Sequence, residues 1–291
     1  MLRRLKDFNA AAILVVTVLF GMFFAANTAE AQTIAYNSIP SAATAPDNVA
    51  SEGPEAYAFV QLGDGLNLVL PPPHDRLTSV TVVMSSWACQ NGNWYTPGTC
   101  VTTPGATYTM PITLNVYSVV SGTSLEGNPA PSPGTLLRSV TQPFTLPYRP
   151  SSDSINCDGT AWYDAGKRIC NHGVAVPITF NLSSSQLVLP SQIIVTVAYN
   201  TTHYGPNPVG EGAACFGTPA GCFYDSLNIS TDDNGGNYKA AGSPLDVTGI
   251  FVENTYASSA CNSNGTTGVL GDDAAPGCWT NYHPQIKVLV H

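Results

Sequence analysis

The residue types best suited to do chemistry in this chain are aromatic, and they lie between or beside cysteines. Trp94-Tyr95 falls between Cys89 and Cys100, Trp162-Tyr163 between Cys157 and Cys170, and Trp279 follows Cys278 with Tyr282 close by. A flat indole stacks on the apolar face of a sugar ring, and neighbouring Asn or Asp groups bind the ring's hydroxyls. A loop pinned by a disulfide orders such a platform before the ligand arrives, which lowers the entropic cost of binding. The same composition supports a second arrangement, in which each tryptophan packs against a disulfide as a local core beneath a long loop.

Other chemistry is sparse. Asp232, Asp233, Asp272 and Asp273 offer the hard oxygens that calcium prefers, but their spacing matches no EF-hand loop, and solvated turns are the favoured reading of them. A structural calcium is the one cofactor that the chain suggests. The short Cys-x-x-Cys spacing of a zinc site is absent. His203, within Asn200-Thr-Thr-His-Tyr-Gly205 and near Glu211, has the chemistry of a base or a metal ligand. It lacks a His-x-Glu-x-x-His partner, and no Gly-x-Ser-x-Gly elbow supplies a nucleophile. Glycoside hydrolysis needs two carboxylates facing each other across a sugar bond. Glu52, Glu55, Asp153, Glu211 and Asp225 are available, but nothing in their spacing brings two of them together. The expectation is therefore a protein that is not an enzyme.

Loops of this kind need a scaffold, and the cysteines say how they are tied to it. The chain has eight, at 89, 100, 157, 170, 215, 222, 261 and 278. Their clustering favours pairing between sequence neighbours: Cys89 with Cys100, Cys157 with Cys170, Cys215 with Cys222, and Cys261 with Cys278. Each bridge closes a stretch rich in Gly, Asn, Thr and Pro that has little apolar surface with which to order itself.

The scaffold itself reads as all-β. Two-residue alternation of apolar side chains recurs at Val80, Val82 and Met84, at Ile112, Leu114 and Val116, from Val174 to Leu182, from Ile193 to Tyr199, and at Ile286, Val288 and Val290. Further strands are expected near Tyr57 to Leu62, Leu66 to Leu70, Leu136 to Leu146 and Phe223 to Ile229. Gly63-Asp64-Gly65, Pro71-Pro72-Pro73, Pro131-Ser-Pro-Gly134, Gly205-Pro-Asn-Pro208 and Asp233-Asn-Gly-Gly236 have the composition of turns between them. Strands with one apolar face, joined by long connections, predict an antiparallel two-sheet sandwich, jelly-roll-like, with long disulfide-pinned loops.

The N-terminus predicts export. Arg3, Arg4 and Lys6 precede an apolar run from Ala10 to Ala26 that ends in Ala29-Glu30-Ala31, the layout of a signal peptide cleaved before Gln32. Residues 1–31 are then the signal and 32–291 a single secreted, extracellular domain, with no membrane attachment after cleavage. With 10 Lys+Arg against 19 Asp+Glu and a net charge of −9, the chain has little to offer a phosphate backbone, and nucleic acid is not an expected partner.

The stretches Leu77-Thr-Ser-Val-Thr-Val-Val-Met-Ser-Ser-Trp87, Pro111-Ile-Thr-Leu-Asn-Val-Tyr117, Pro133-Gly-Thr-Leu-Leu137, Pro147-Tyr-Arg-Pro150 and Ala198-Tyr-Asn-Thr-Thr-His-Tyr-Gly205 together resemble a group of uncharacterised secreted bacterial β-sandwich proteins. More loosely, their order is similar to the jelly-roll modules of extracellular adhesins and carbohydrate-binding regions. That second resemblance implies a fold and no activity.

These readings converge on a secreted, non-catalytic protein that binds glycan or another cell-surface polymer through its aromatic loops. The alternative is a structural protein of the envelope or extracellular matrix that associates with itself. An extracellular glycoside hydrolase ranks third.

Overall fold

The computed structural model describes residues 32–40, 50–53, 59–92, 94, 96–199, 203–204, 207–208, 227–232, 240–254, 266–275 and 282–291. Their strands are, in order, β1 (Thr33–Asn37), β2 (Ser51–Glu52), β3 (Phe59–Asn67), β4 (Leu77–Ser86), β5 (Thr107–Thr123), β6 (Pro129–Pro147), β7 (Trp162–Asp164), β8 (Ile169–Asn171) and β9 (Val174–Asn181). After one 3-10 turn at Ser183–Ser185 come β10 (Gln192–Ala198), β11 (His203–Tyr204), β12 (Asn207–Pro208), β13 (Leu227–Asp232), β14 (Ser243–Pro244), β15 (Ile250–Asn254), β16 (Leu270–Asp273), β17 (His283–Pro284) and β18 (Ile286–Val290). No helix among the described residues is long and apolar enough to cross a membrane.

The strands form two seven-stranded antiparallel sheets. One runs β1-β18-β4-β13-β17, with β2 added on β13 and β9 on β4; the other runs β16-β15-β3-β10-β5-β6, with β14 on β3. Period-two alternation explains how they stack, because residues in register share a face. In the first sheet Ile286, Val82 and Ile178 line up across three strands, as do Val288, Val80 and Phe180, and all six are buried. In the second, Val252, Leu62, Val197 and Leu114 form a matching row. These rows belong to one apolar core, where Phe144 meets Phe180 edge to face with ring centroids 4.9 Å apart. The fold is thus all-β and sandwich-like, as the alternation predicted.

Two expected turns are strand instead. Gly63-Asp64-Gly65 lies in the middle of β3, which joins into one element the two strands expected on either side of it. These glycines serve close packing and not a reversal. A Cβ on Gly63 would stand 1.8 Å from the Val195 carbonyl oxygen, and one on Gly65 would meet the side chains of Phe251 and Leu245 at 2.7 and 2.8 Å. Pro131-Ser-Pro-Gly134 lies within β6, opposite Val119 and Ser121 of β5. Proline is tolerated there because β6 is the last strand of its sheet, and a residue whose N–H would face the open edge owes the ladder no donor.

β5 and β6 form a hairpin about 55 Å long at roughly 3.3 Å per residue, with irregular register between Val116 and Val119. Its turn returns to the opposite edge of the same sheet. The Leu125 N–H donates to the Asp272 carbonyl on β16 (2.7 Å), and the Ala274 N–H donates to Glu126 Oε2 (3.2 Å).

Candidate functional site

The last residue of β4 pairs with the first of β9, Ser86 with Val174, so the loop that leaves β4 and the loop that enters β9 emerge side by side. Each carries a disulfide: Cys89–Cys100 closes the first, and Cys157–Cys170 spans the second. Two of the four expected bridges are therefore present, and they fit an oxidising compartment. Cys215, Cys222, Cys261 and Cys278 lie outside the described residues.

The two loops are also tied to each other. Gly98 N–H donates to Gly159 O (2.8 Å), Ser152 N–H to Cys100 O (3.0 Å), Arg149 N–H to Ala88 O (2.9 Å), and Thr102 N–H to Ser151 Oγ (2.9 Å). Arg149, fully buried, sends Nη2 to the Thr160 carbonyl at 2.6 Å and so joins both segments from within. Asp158 caps the turn that follows. The Thr160 hydroxyl, the Thr160 and Ala161 N–H groups and the nearby His172 hold its carboxyl down to about 2 against a modest opposing effect of burial. Loop closure over separations of 11 and 13 residues contributes about 3 kcal/mol per bridge. We expect Cys89→Ser with Cys100→Ser to lower stability by about that amount in urea unfolding, with β-sheet circular dichroism retained in native buffer.

An aromatic group forms at this end of the sandwich. Trp87, the residue after β4, stacks on His172 with centroids 5.3 Å apart and planes 15° apart. Trp94 stands edge-on to Trp87 at 4.7 Å and to His172 at 6.1 Å. Both tryptophans and the histidine are half-buried. Gly173 permits this approach, since a Cβ there would lie 2.5 Å from Trp87 Nε1 and 2.3 Å from Ser85 Oγ. Trp87 Nε1–H donates to that same Ser85 hydroxyl (3.1 Å), which fixes the ring. Burial, reinforced by the Arg149 charge and only partly offset by Asp158, holds the His172 pKa below its ordinary value, so the ring is neutral at pH 7.

No family model, curated protein or solved structure matches the chain.

Of the six aromatic residues singled out by sequence, Trp94 belongs to this group. Trp162 does not: it is 5% exposed, and its Nε1–H donates to the Gly173 carbonyl at 3.0 Å, so it takes the packed arrangement beneath the loop. Tyr163 is half-buried on the β7–β8 ribbon opposite Cys170. Tyr282 is exposed next to β17, while Tyr95 and Trp279 lie outside the described residues. Trp87 and His172 were not singled out, although each stands two residues outside a disulfide-bonded cysteine, where a side chain is held almost as firmly as one inside the loop.

The acidic candidates part company. Asp233 lies outside the described residues, as do Glu55, Glu211 and Asp225. Asp272 and Asp273 are wholly buried in β16, not solvated in a turn. Among the described residues no three His, Cys, Asp or Glu side chains form a group able to hold a metal ion. Asp64 accepts or shares a hydrogen bond with His283 Nδ1 at 3.2 Å, with both residues buried. His203 and Tyr204 lie in the small β11–β12 ribbon, paired with Pro208 and Asn207.

Proposed function

We propose that this chain is an exported, non-catalytic binding protein that holds a neutral glycan against Trp87, Trp94 and His172. The observation that carries this reading is the half-exposed Trp94 ring standing on a Trp87–His172 stack, on two disulfide-bonded loops that hydrogen-bond to each other. Such a surface offers aromatic faces and edges to a sugar ring and gives up little conformational freedom on binding. A neutral ligand fits best, because a net charge of −9, with half-buried Asp153 and exposed Asp158 on the second loop, repels anionic polymers. The apolar N-terminal run and the disulfides favour action outside the cell.

Two observations rank this above the other readings. Prolines at 129, 131, 133, 143 and 147 strip donors from the β6 edge, which weakens that strand as a site for joining a second copy. Asp272, which has Asp246 as a carboxyl neighbour, is fully buried, away from any polymer that a hydrolase would cut.

An array of neutral polysaccharides and oligosaccharides tests the proposal. The protein should bind members of it, and Trp94→Ala or Trp87→Ala should each weaken binding about tenfold or more, while Tyr282→Ala leaves it unchanged. Binding that survives the double substitution in a folded protein would sink the reading, as would no binding to any neutral glycan.

A further inference from the structure

A second site lies at the far edge of the other sheet, where acidic groups from four elements meet. Asp272 of β16 is fully buried, yet among the described residues neither of its carboxyl oxygens has a hydrogen-bond partner within 3.5 Å. The charges of Asp246, Asp64 and Glu126 all act on it. Asp246, just before β15, spends Oδ1 on the Thr248 N–H and hydroxyl, each at 2.7 Å, which leaves its other oxygen for Asp272. Glu126 arrives on the hairpin turn, and its Oε1 is likewise buried without a partner. A buried carboxyl that makes no hydrogen bond and faces other carboxyls is costly, and proteins commonly meet that cost with a bound cation.

The space around Gly249 shows how an ion would be accommodated. A Cβ at that position would stand 2.3 Å from Asp272 Oδ1 and 3.0 Å from the Asp273 carbonyl oxygen, so a side-chain oxygen and a main-chain oxygen converge where the glycine leaves room. Calcium takes this type of mixed set, carboxylates with backbone carbonyls and water, and does not need three acidic side chains.

We propose that Asp272 and Asp246, with the Asp273 carbonyl, bind one calcium ion at the β15–β16 edge. Glu126 adds negative potential from the hairpin turn, so the ion also draws that turn onto β16. Calcium titrated alone into the chelator-treated protein should bind with one-to-one stoichiometry and a dissociation constant on the order of 10⁻⁴ to 10⁻³ M, as in extracellular modules. It should raise the melting midpoint by several degrees. Asp272→Asn and, separately, Asp246→Asn should each weaken that binding about tenfold or more. Absence of calcium binding to the wild-type protein overturns the proposal whatever the variants do. Undiminished binding in a folded Asp272→Asn/Asp246→Asn variant overturns it as well. The site is remote from the tryptophans in sequence and sheet, so glycan affinity and calcium affinity succeed or fail separately.

Discussion

Gly63→Ala should cost more than about 4 kcal/mol and leave little native protein at ambient temperature, a loss as large as the worst core truncations. The added Cβ would sit 1.8 Å from the Val195 carbonyl oxygen and 2.5 Å from Thr196 Cα. Both are backbone atoms of β10, the central neighbour of β3, and neither can turn aside as a side chain would. Gly105→Ala makes the useful comparison. Gly105 has φ +80° with open space around it, so alanine there pays only for a left-handed backbone, about 1–2 kcal/mol. Urea unfolding followed by circular dichroism measures both. A Gly63→Ala protein as stable as wild type would contradict the packing of β3 against β10.

That glycine also marks where sequence patterning stops being informative. Alternating Val, Ile and Leu identified the two-layer scaffold because burial on one face imposes a period of two, and this signal survives without knowledge of the partner strands. Gly63-Asp64-Gly65 carried the composition of a turn, and only the closeness of β10 and of Phe251 explains it as strand. Pro131 and Pro133 misled for a related reason, since what makes proline acceptable is an open edge, a property of sheet order that no local window contains. At the candidate site, neighbour pairing of cysteines located the two loops, and Trp94 followed from it. Trp87 and His172 lie 85 residues apart and meet only because β4 pairs with β9. The same holds for Asp272 and Glu126, brought together by a hairpin that crosses back to the far edge of its sheet.

A second large effect concerns pH. Burial first, then the neighbouring Asp246 carboxyl and the charges of Asp64 and Glu126, push the Asp272 pKa up to about 8. Asp246 moves the other way. Burial alone would raise it, but bonds from the Thr248 N–H and hydroxyl, the neighbouring Asp272 carboxyl and the charge of His283 outweigh that and hold it below its usual value. An unfolded aspartate titrates near ~3.9. The metal-free native state therefore holds the Asp272 proton more tightly than the unfolded chain does. Its stabilising contribution is complete below about pH 4 and declines steadily as the pH rises toward 8. Asp272→Asn keeps the shape and stays neutral, so in chelator its stability should match wild type near pH 4 and exceed it by a few kcal/mol at pH 9. Guanidinium unfolding across that range reads the difference. Parallel pH profiles for the two proteins would show that Asp272 is not held protonated in the fold.

Under the proposed function, the ring surface of Trp87 and Trp94 holds the ligand. Intrinsic tryptophan emission, titrated with a soluble neutral polysaccharide bound on the array, tests it at the rings themselves. A saturable change in intensity or wavelength is predicted for the wild-type protein, and its loss in Trp87→Phe/Trp94→Phe, where Trp162 and Trp279 still report. Emission that stays flat while the polysaccharide binds, or a change that persists in the double variant, would place the ligand elsewhere.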